Sequence, residues 1–423
     1  MFLRKLSKHE LSQLAWHTIH FSINISGDFN LEVFRKAAIY TIGLVPLAHS
    51  KVVKLNDDFY FKSIDKNKVP FKTINLETDS DYPNIYKELI NTAVDSTQSQ
   101  LEITTIKYNN QSKHTIIFSI AHSVVSGRTG VEFIDLVLNA YQSALNEGEL
   151  QGICFPLDSS MASLSSKQED QIEAGIYADP IKLGQTFSPI PLSSEEANPN
   201  NLVTDFIDIP LQKNDFIKLK TACREHGVSV NSYLSACQIM ASLETYPEAH
   251  KAKFVSHNLA VDPRKYIQNT VQKGNLMQFS YSGIFFFEVI HLSDVWSLAK
   301  DIGKRVEEYL TSDQMHATLR SIETSDYSVD NPNEAVLDEN FHWTTCNSNL
   351  GLVQLGENLS SINVTDFKFI VNRINGSHLL FISSFDNTLS LRYAFSSPRY
   401  SKKTIQSIAD KILEVIHSSL CLS

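Results

Sequence analysis

At 423 residues the chain is longer than one ordinary core organises, so two domains or lobes are expected. A 42% hydrophobic and 20% charged composition is that of a soluble globular protein. A net charge of −10 without a dense Lys/Arg tract argues against nucleic acid or an anionic membrane as partner.

The first ten residues carry charges with no apolar stretch behind them, so no secretory signal is expected. No run of about 18 apolar residues offers a membrane span. Residues 18–26 read as a strand, and 30–40 as a helix that Asn30 can cap. Strand-like runs follow at 51–54, 59–63 and 71–76, a helix at 86–94, and strands at 101–107 and 115–121. Helix 128–145 closes this half, with Val131, Ile134, Leu138 and Tyr141 at helical spacing. Residues 156–201 are polar, Ser/Pro/Asn-rich and nearly without periodicity. They read as a crossing over the surface, with a short helix near 168–175.

A second series then begins. Strand 203–209 precedes a helix over 215–226 that Gly227 ends, and Ser229 caps the next helix. Strands 253–260 and 279–289, helix 292–309, antiparallel strands 367–371, 379–384 and 389–395, and helix 402–418 complete the chain. The boundaries are therefore an N-terminal lobe over 1–155, a crossing over 156–202 and a C-terminal lobe over 203–423.

The run from Ile116 to Gly127 is the most informative. A β-branched strand delivers His122 at its end, and a turn containing Gly127 leads into a helix. Such a histidine is either a core residue bonded to backbone or a neutral base facing a loop, and sequence physics alone leaves both open. Cys154, Cys223, Cys237, Cys346 and Cys421 are scattered without a C-x-x-C pair, which suits reduced thiols in the cytoplasm. His17 and His20 lack further ligands nearby, so no metal site is expected. His342-Trp343 and Phe285-Phe286-Phe287 read first as core packing.

Ala121-His122-Ser123-Val124-Val125-Ser126-Gly127 resembles the His-x-x-x-Asp-Gly motif of the coenzyme A-dependent acyltransferase superfamily. That group includes chloramphenicol acetyltransferase, alcohol acetyltransferases and condensation domains. Further segments match in order: Gly27-Asp28, Pro46-Leu47-Ala48, Gly227-Val228-Ser229-Val230-Asn231, Asp262-Pro263-Arg264 with Gly274-Asn275, and Ser348-Asn349-Leu350-Gly351. The Asp-Phe-Gly-Trp-Gly motif of plant relatives is absent.

The resemblance implies an α/β fold of two chloramphenicol-acetyltransferase-like lobes, each a mixed sheet flanked by helices, with a tunnel between them. It implies His122 as general base, with Ser126, Gly127 and Arg264 shaping the loop and Ser348 and Asn349 stabilising the oxyanion or orienting the thioester. Ser126 departs from the family, where an aspartate pairs with the arginine matched here by Arg264. Either another acid holds that arginine, or the chemistry has changed. The implied reaction moves an acyl group from a coenzyme A thioester to a hydroxyl or amine of a small molecule. No cofactor is bound permanently, and a monomer is the default. A carrier-protein phosphopantetheine thioester is the alternative donor, a repurposed cyclase a further variant, and a non-catalytic scaffold the reading from another class.

Overall fold

In the computed structural model, hydrophobic strands too numerous for one layer split into two large mixed sheets and one small one. The structure describes residues 1–14, 18–109, 112–146, 148, 150, 152–157, 202–246, 254–266, 272–289, 294–311, 313–325, 328–331, 343–372 and 377–421. The proposed helix near 168–175, His17 and His342 lie outside them.

The first lobe opens with β1 (Leu3–Lys5) and α1 (Lys8–Leu14), then β2 (Thr18–Gly27) and α2 (Leu31–Leu44). Asn30 caps α2, its Oδ1 accepting from Glu32 N and Val33 N at 3.1 Å each. A hairpin of β3 (Ser50–Leu55) and β4 (Asp58–Ser63) pairs with β1 in the small sheet. Next come β5 (Phe71–Leu76), α3 (Tyr82–Asn91), β6 (Leu101–Tyr108), β7 (Lys113–Ala121) and α4 (Gly127–Leu145).

The second lobe runs β8 (Val203–Ile209), α5 (Lys213–Glu225), α6 (Val230–Thr245), β9 (Phe254–Val261), β10 (Tyr281–Glu288), α7 (Val295–Thr311), α8 (Asp313–Glu323) and β11 (Thr345–Leu352). It ends with β12 (Ile362–Val371), β13 (His378–Phe385), β14 (Thr388–Ser397) and α9 (Lys402–Cys421). Its six-stranded sheet has the order β10-β9-β11-β13-β14-β8, with β11 parallel to both neighbours. The five-stranded sheet of the first lobe has the order β12-β2-β7-β6-β5.

The sequence reading grouped 367–371 with the two strands that follow it. The structure separates them: β12 leaves its neighbours and pairs antiparallel with β2, from Ile362 opposite Gly27 to Val371 opposite Ile19. An alternating strand fits either sheet, and packing decides which. Phe367 and Phe369 lie 6.4 and 6.5 Å from the Phe21 ring, so β12 completes the first core. Helices α1 and α8 were also not anticipated. Ser7-Lys8-His9-Glu10 carries the capping-box signal for α1: Ser7 Oγ accepts from Glu10 N at 3.1 Å, and Glu10 Oε2 accepts from Ser7 N at 2.9 Å.

A polar seam also joins the lobes. Arg392 on β14 is buried, and it bonds Asp208 on β8 through Nε (2.7 Å) and a terminal nitrogen (3.0 Å). It also bonds the Tyr86 hydroxyl of α3 and stacks over Phe206 at 4.1 Å. Lys87 and Asn91 of α3 bond Asp205 and Thr204 of β8. Burial alone would raise the Asp208 carboxyl, but the guanidinium holds it below the usual carboxylate range. Its contribution to stability is therefore present at neutral pH and is lost as pH falls through that lowered value.

Arg392→Met is expected to lower the unfolding free energy by about 2 kcal/mol. The roughly 3–5 typical of an orphaned buried ion is too much here, because Asp208 is part-exposed and keeps Lys368. A urea titration with an unchanged midpoint would contradict this.

Candidate active site

Strand β7 ends at Ala121, and a single tight turn over His122–Val124 carries the chain to Ser126 at the start of α4. The flanking β-branched residues Ile116, Ile117 and Ile120 are fully buried, which fixes the strand end that carries the imidazole. His122 itself is only 8% exposed. The Val125 carbonyl lies 3.1 Å from its Nδ1 and can accept a hydrogen there. Nε2 carries no hydrogen bond from any described residue, nor is it among the sealed polar atoms without a partner. Burial lowers the imidazole pKa to about 4, against the opposing pull of the His122 and Val125 carbonyls. The ring is therefore neutral at physiological pH, with one nitrogen held and the other available.

Ser126 is the N-cap of α4. Its Oγ accepts from Thr129 N at 3.4 Å, and the Thr129 hydroxyl accepts from Ser126 N at 2.9 Å. Ser126 therefore receives no hydrogen bond from Arg264. That guanidinium bonds Asp262 through Nε (2.9 Å) and a terminal nitrogen (2.7 Å), and Glu132 on α4 at 3.0 Å. Of the alternatives set out above, the geometry fits the first: acids at 132 and 262 occupy the arginine that a motif aspartate would have held. Glu132 carries no motif signal, and it lies part-buried on α4.

Glu132 also helps dock a segment of the second lobe onto the first. Gly274 N donates to Glu132 at 3.4 Å, the Thr129 hydroxyl donates to Met277 O at 3.1 Å, and Gln278 Nε2 lies 3.0 Å from His122 Nδ1. Residues 274–280 thus run across the start of α4 and against the imidazole.

Ser348 and Asn349 lie on β11 but on opposite faces, as strand alternation requires. The Asn349 amide is engaged at both ends, with Nδ2 donating to Asn231 of α6 (2.9 Å) and Oδ1 accepting from Gly351 N (2.6 Å). Gly351 takes a left-handed φ of +64°, which favours glycine. Ser348 shares its face with Cys346 and Leu350, both part of the hydrophobic cluster that contains Ala121, Val124 and Val125. Its hydroxyl has no partner among the described residues. Leu350 packs directly on Gly127, where an added Cβ would collide with the leucine side chain. A glycine–leucine contact therefore joins β11 to the start of α4, and Ser348 lies on the same strand face as that leucine.

Three other residues at the site escaped the sequence reading. Asn258, paired in register with Cys346, is 6% exposed, and its amide makes no hydrogen bond among the described residues. Gln278 is buried against the His122 ring. His9 is buried on α1, which packs against the His122 turn, while Glu323 of α8 accepts from Lys8 N and His9 N at 3.1 and 3.0 Å. Burial lowers the His9 pKa to about 4, with the Ser280 carbonyl opposing and neighbouring His122 adding to the effect. The remaining histidines of interest are structural: His20 bonds Ser119 at 2.9 Å and His257 bonds Thr345 at 2.8 Å. Phe285 and Phe287 enter the second core, while Phe286 points the other way. No group of described His, Cys, Asp and Glu residues is arranged to hold a metal ion, and no helix among the described residues is long and apolar enough to cross a membrane.

Comparison with known proteins agrees with this architecture. Polyketide synthase associated protein 5 from Mycobacterium tuberculosis superposes with a TM-score of 0.71 at 15% identity, over 98% of each chain. The TRI3 trichothecene 15-O-acetyltransferase from Fusarium sporotrichioides gives 0.73 at 12% identity, over 99% of this chain and 95% of that one. The first condensation domain of the CDA synthetase gives 0.75 at 11%, over 99% and 96%. No curated protein matches in sequence. The fold is that of the two-lobed condensation-domain and chloramphenicol-acetyltransferase-like proteins. Residues 203–394 further match the family described as phthiocerol/phthiodiolone dimycocerosyl transferase C-terminus.

Two outcomes follow from the site. Aspartate caps helices as well as serine, so Ser126→Asp should leave the melting temperature nearly unchanged while Ser126→Ala lowers stability by about 1 kcal/mol. Equal losses in the two variants would refute the cap. For pH, the unfolded chain binds a proton at His9 and His122 near 6.5, and the folded chain only near 4. Stability therefore rises with pH through that window and is lost on acidification from about 6.5 to 4. Thermal melts should fall steeply over that range in the wild type and less steeply in His9→Gln; identical slopes would refute the assignment.

Proposed function

We propose that the protein transfers an acyl group from a coenzyme A thioester to a hydroxyl or amine of a small molecule, with His122 as general base. The observation that carries this is a neutral, backbone-held imidazole whose Nε2 has no partner among the described residues, at the end of β7. In this reading donor and acceptor approach His122 from opposite sides of a passage between the lobes. Nε2 removes the acceptor proton as its oxygen or nitrogen attacks the thioester carbonyl, and a tetrahedral oxyanion forms. Ser348, whose hydroxyl has no partner among the described residues, donates to that oxyanion, while Asn349 holds the strand in place. Collapse breaks the C–S bond, and the leaving thiolate takes the proton from the imidazolium. No acyl-enzyme is formed.

The Arg264 cluster supports an active rather than a scaffold role. With serine in place of the motif acid at 126, the arginine is still paired with two carboxylates. The likeness to a condensation domain supports a second donor, a phosphopantetheine thioester on a carrier protein, with the same base and the same bond changes. A cytoplasmic location suits either donor, and the four cysteines described are free thiols.

The test is thiol release from a panel of acyl-coenzyme A donors with hydroxyl and amine acceptors. His122→Ala should reduce turnover by at least about 10²-fold, the low end for a general base. Ser348→Ala should reduce kcat by about 10²-fold with KM little changed, as for a lost oxyanion donor. Turnover from a loaded carrier alone would select the second donor. Unaltered activity in His122→Ala would overturn the base assignment.

A further inference from the structure

Two groups of opposite character meet one nitrogen of His122. The Val125 carbonyl, 3.1 Å from Nδ1, can only accept a hydrogen. The Gln278 amide nitrogen, 3.0 Å from the same atom, can only donate one. The amide cannot turn over to relieve this, because its Oε1 already accepts a hydrogen bond from Ser280 N. Gln278 is 1% exposed, so water does not offer its nitrogen an easy alternative. Nδ1 can satisfy one neighbour at a time. Protonated, it serves Val125 and faces the amide hydrogens; unprotonated, it accepts from Gln278 and faces the carbonyl lone pairs.

We infer that Gln278 is a positioning residue that sets the tautomer of His122, opposing Val125 and disfavouring the doubly protonated ring. This rests on the reading of His122 as base only for its catalytic meaning. The chemistry is simple. With the proton on Nδ1, Nε2 has the lone pair that removes the acceptor proton. Once Nε2 is protonated, the amide N–H opposite the Nδ1–H weakens the imidazolium and favours passing the proton to the departing thiolate. The amide comes from the second lobe, on the same stretch whose Met277 carbonyl accepts from Thr129. The protonation state of a first-lobe residue is thus governed by how the second lobe is seated. Among titratable neighbours the ring feels His9 from α1, whereas Arg264 beside α4 is matched by Asp262 and Glu132.

The experiment is ¹⁵N NMR of histidine-labelled full-length protein, with the His122 signals assigned by their loss in His122→Gln. Gln278→Met removes the donor and leaves Val125, so the ring should move wholly to the Nδ1–H form. Gln278→Glu keeps the acceptor for Ser280 N and places a carboxylate against Nδ1. The His122 titration midpoint should then rise by a unit or more, a tenfold or greater gain in proton affinity. The acid limb of kcat against pH should move with it while KM stays within twofold. An unchanged tautomer in Gln278→Met overturns the proposal; should that variant fail to fold, an unmoved titration in Gln278→Glu does so. Both readings come from resting protein, so failure of the base assignment in the turnover assay is a separate result.

Discussion

The contact on which the site depends is that of Leu350 with the bare Cα of Gly127. Each residue belongs to a rigid element of a different lobe: a central strand parallel to both neighbours, and the first turn of a 19-residue helix. Their approach sets the strand face that carries Ser348, Cys346 and Leu350 against the start of the helix that follows the His122 turn. The polar bonds from residues 274–280 then hold that approach in place. A wall built from strands and helix starts keeps its side chains in a narrow range of positions, which acid–base chemistry needs.

Electrostatics follow from the same closure. The imidazole is neutral because burial disfavours its charged form, and among the described residues hydrogen-bond partners engage one of its nitrogens. Arg264, which reaches α4 through Glu132, is matched by two carboxylates.

Much of this was legible in sequence. The β-branched run into His122, the caps at Asn30 and Ser229, and Gly227 as a helix terminator act through neighbours a few residues away, and local pattern records them. What pattern could not record was which sheet a strand joins or which acid an arginine reaches. β12 alternates like its successors, and only packing on Phe21 tells it apart. Glu132 looks like any exposed helix carboxylate, and Ser126 was read against a distant arginine when its own helix start, three residues on, supplied its partner. The capping box at Ser7 and Glu10 was within reach of local reasoning and would have found α1, and with it His9.

The exchange of β12 has a bearing on motion. A strand from late in the chain forms the outer ladder of the early lobe, so its two connections tether the bodies on either side of the His122 turn. Separation of the lobes by more than a few ångströms would have to strip nine or so backbone pairings from β2 or stretch those connections taut. The position of the first sheet's outer strand is thus set by a segment whose chain neighbours, β11 and β13, lie in the other sheet.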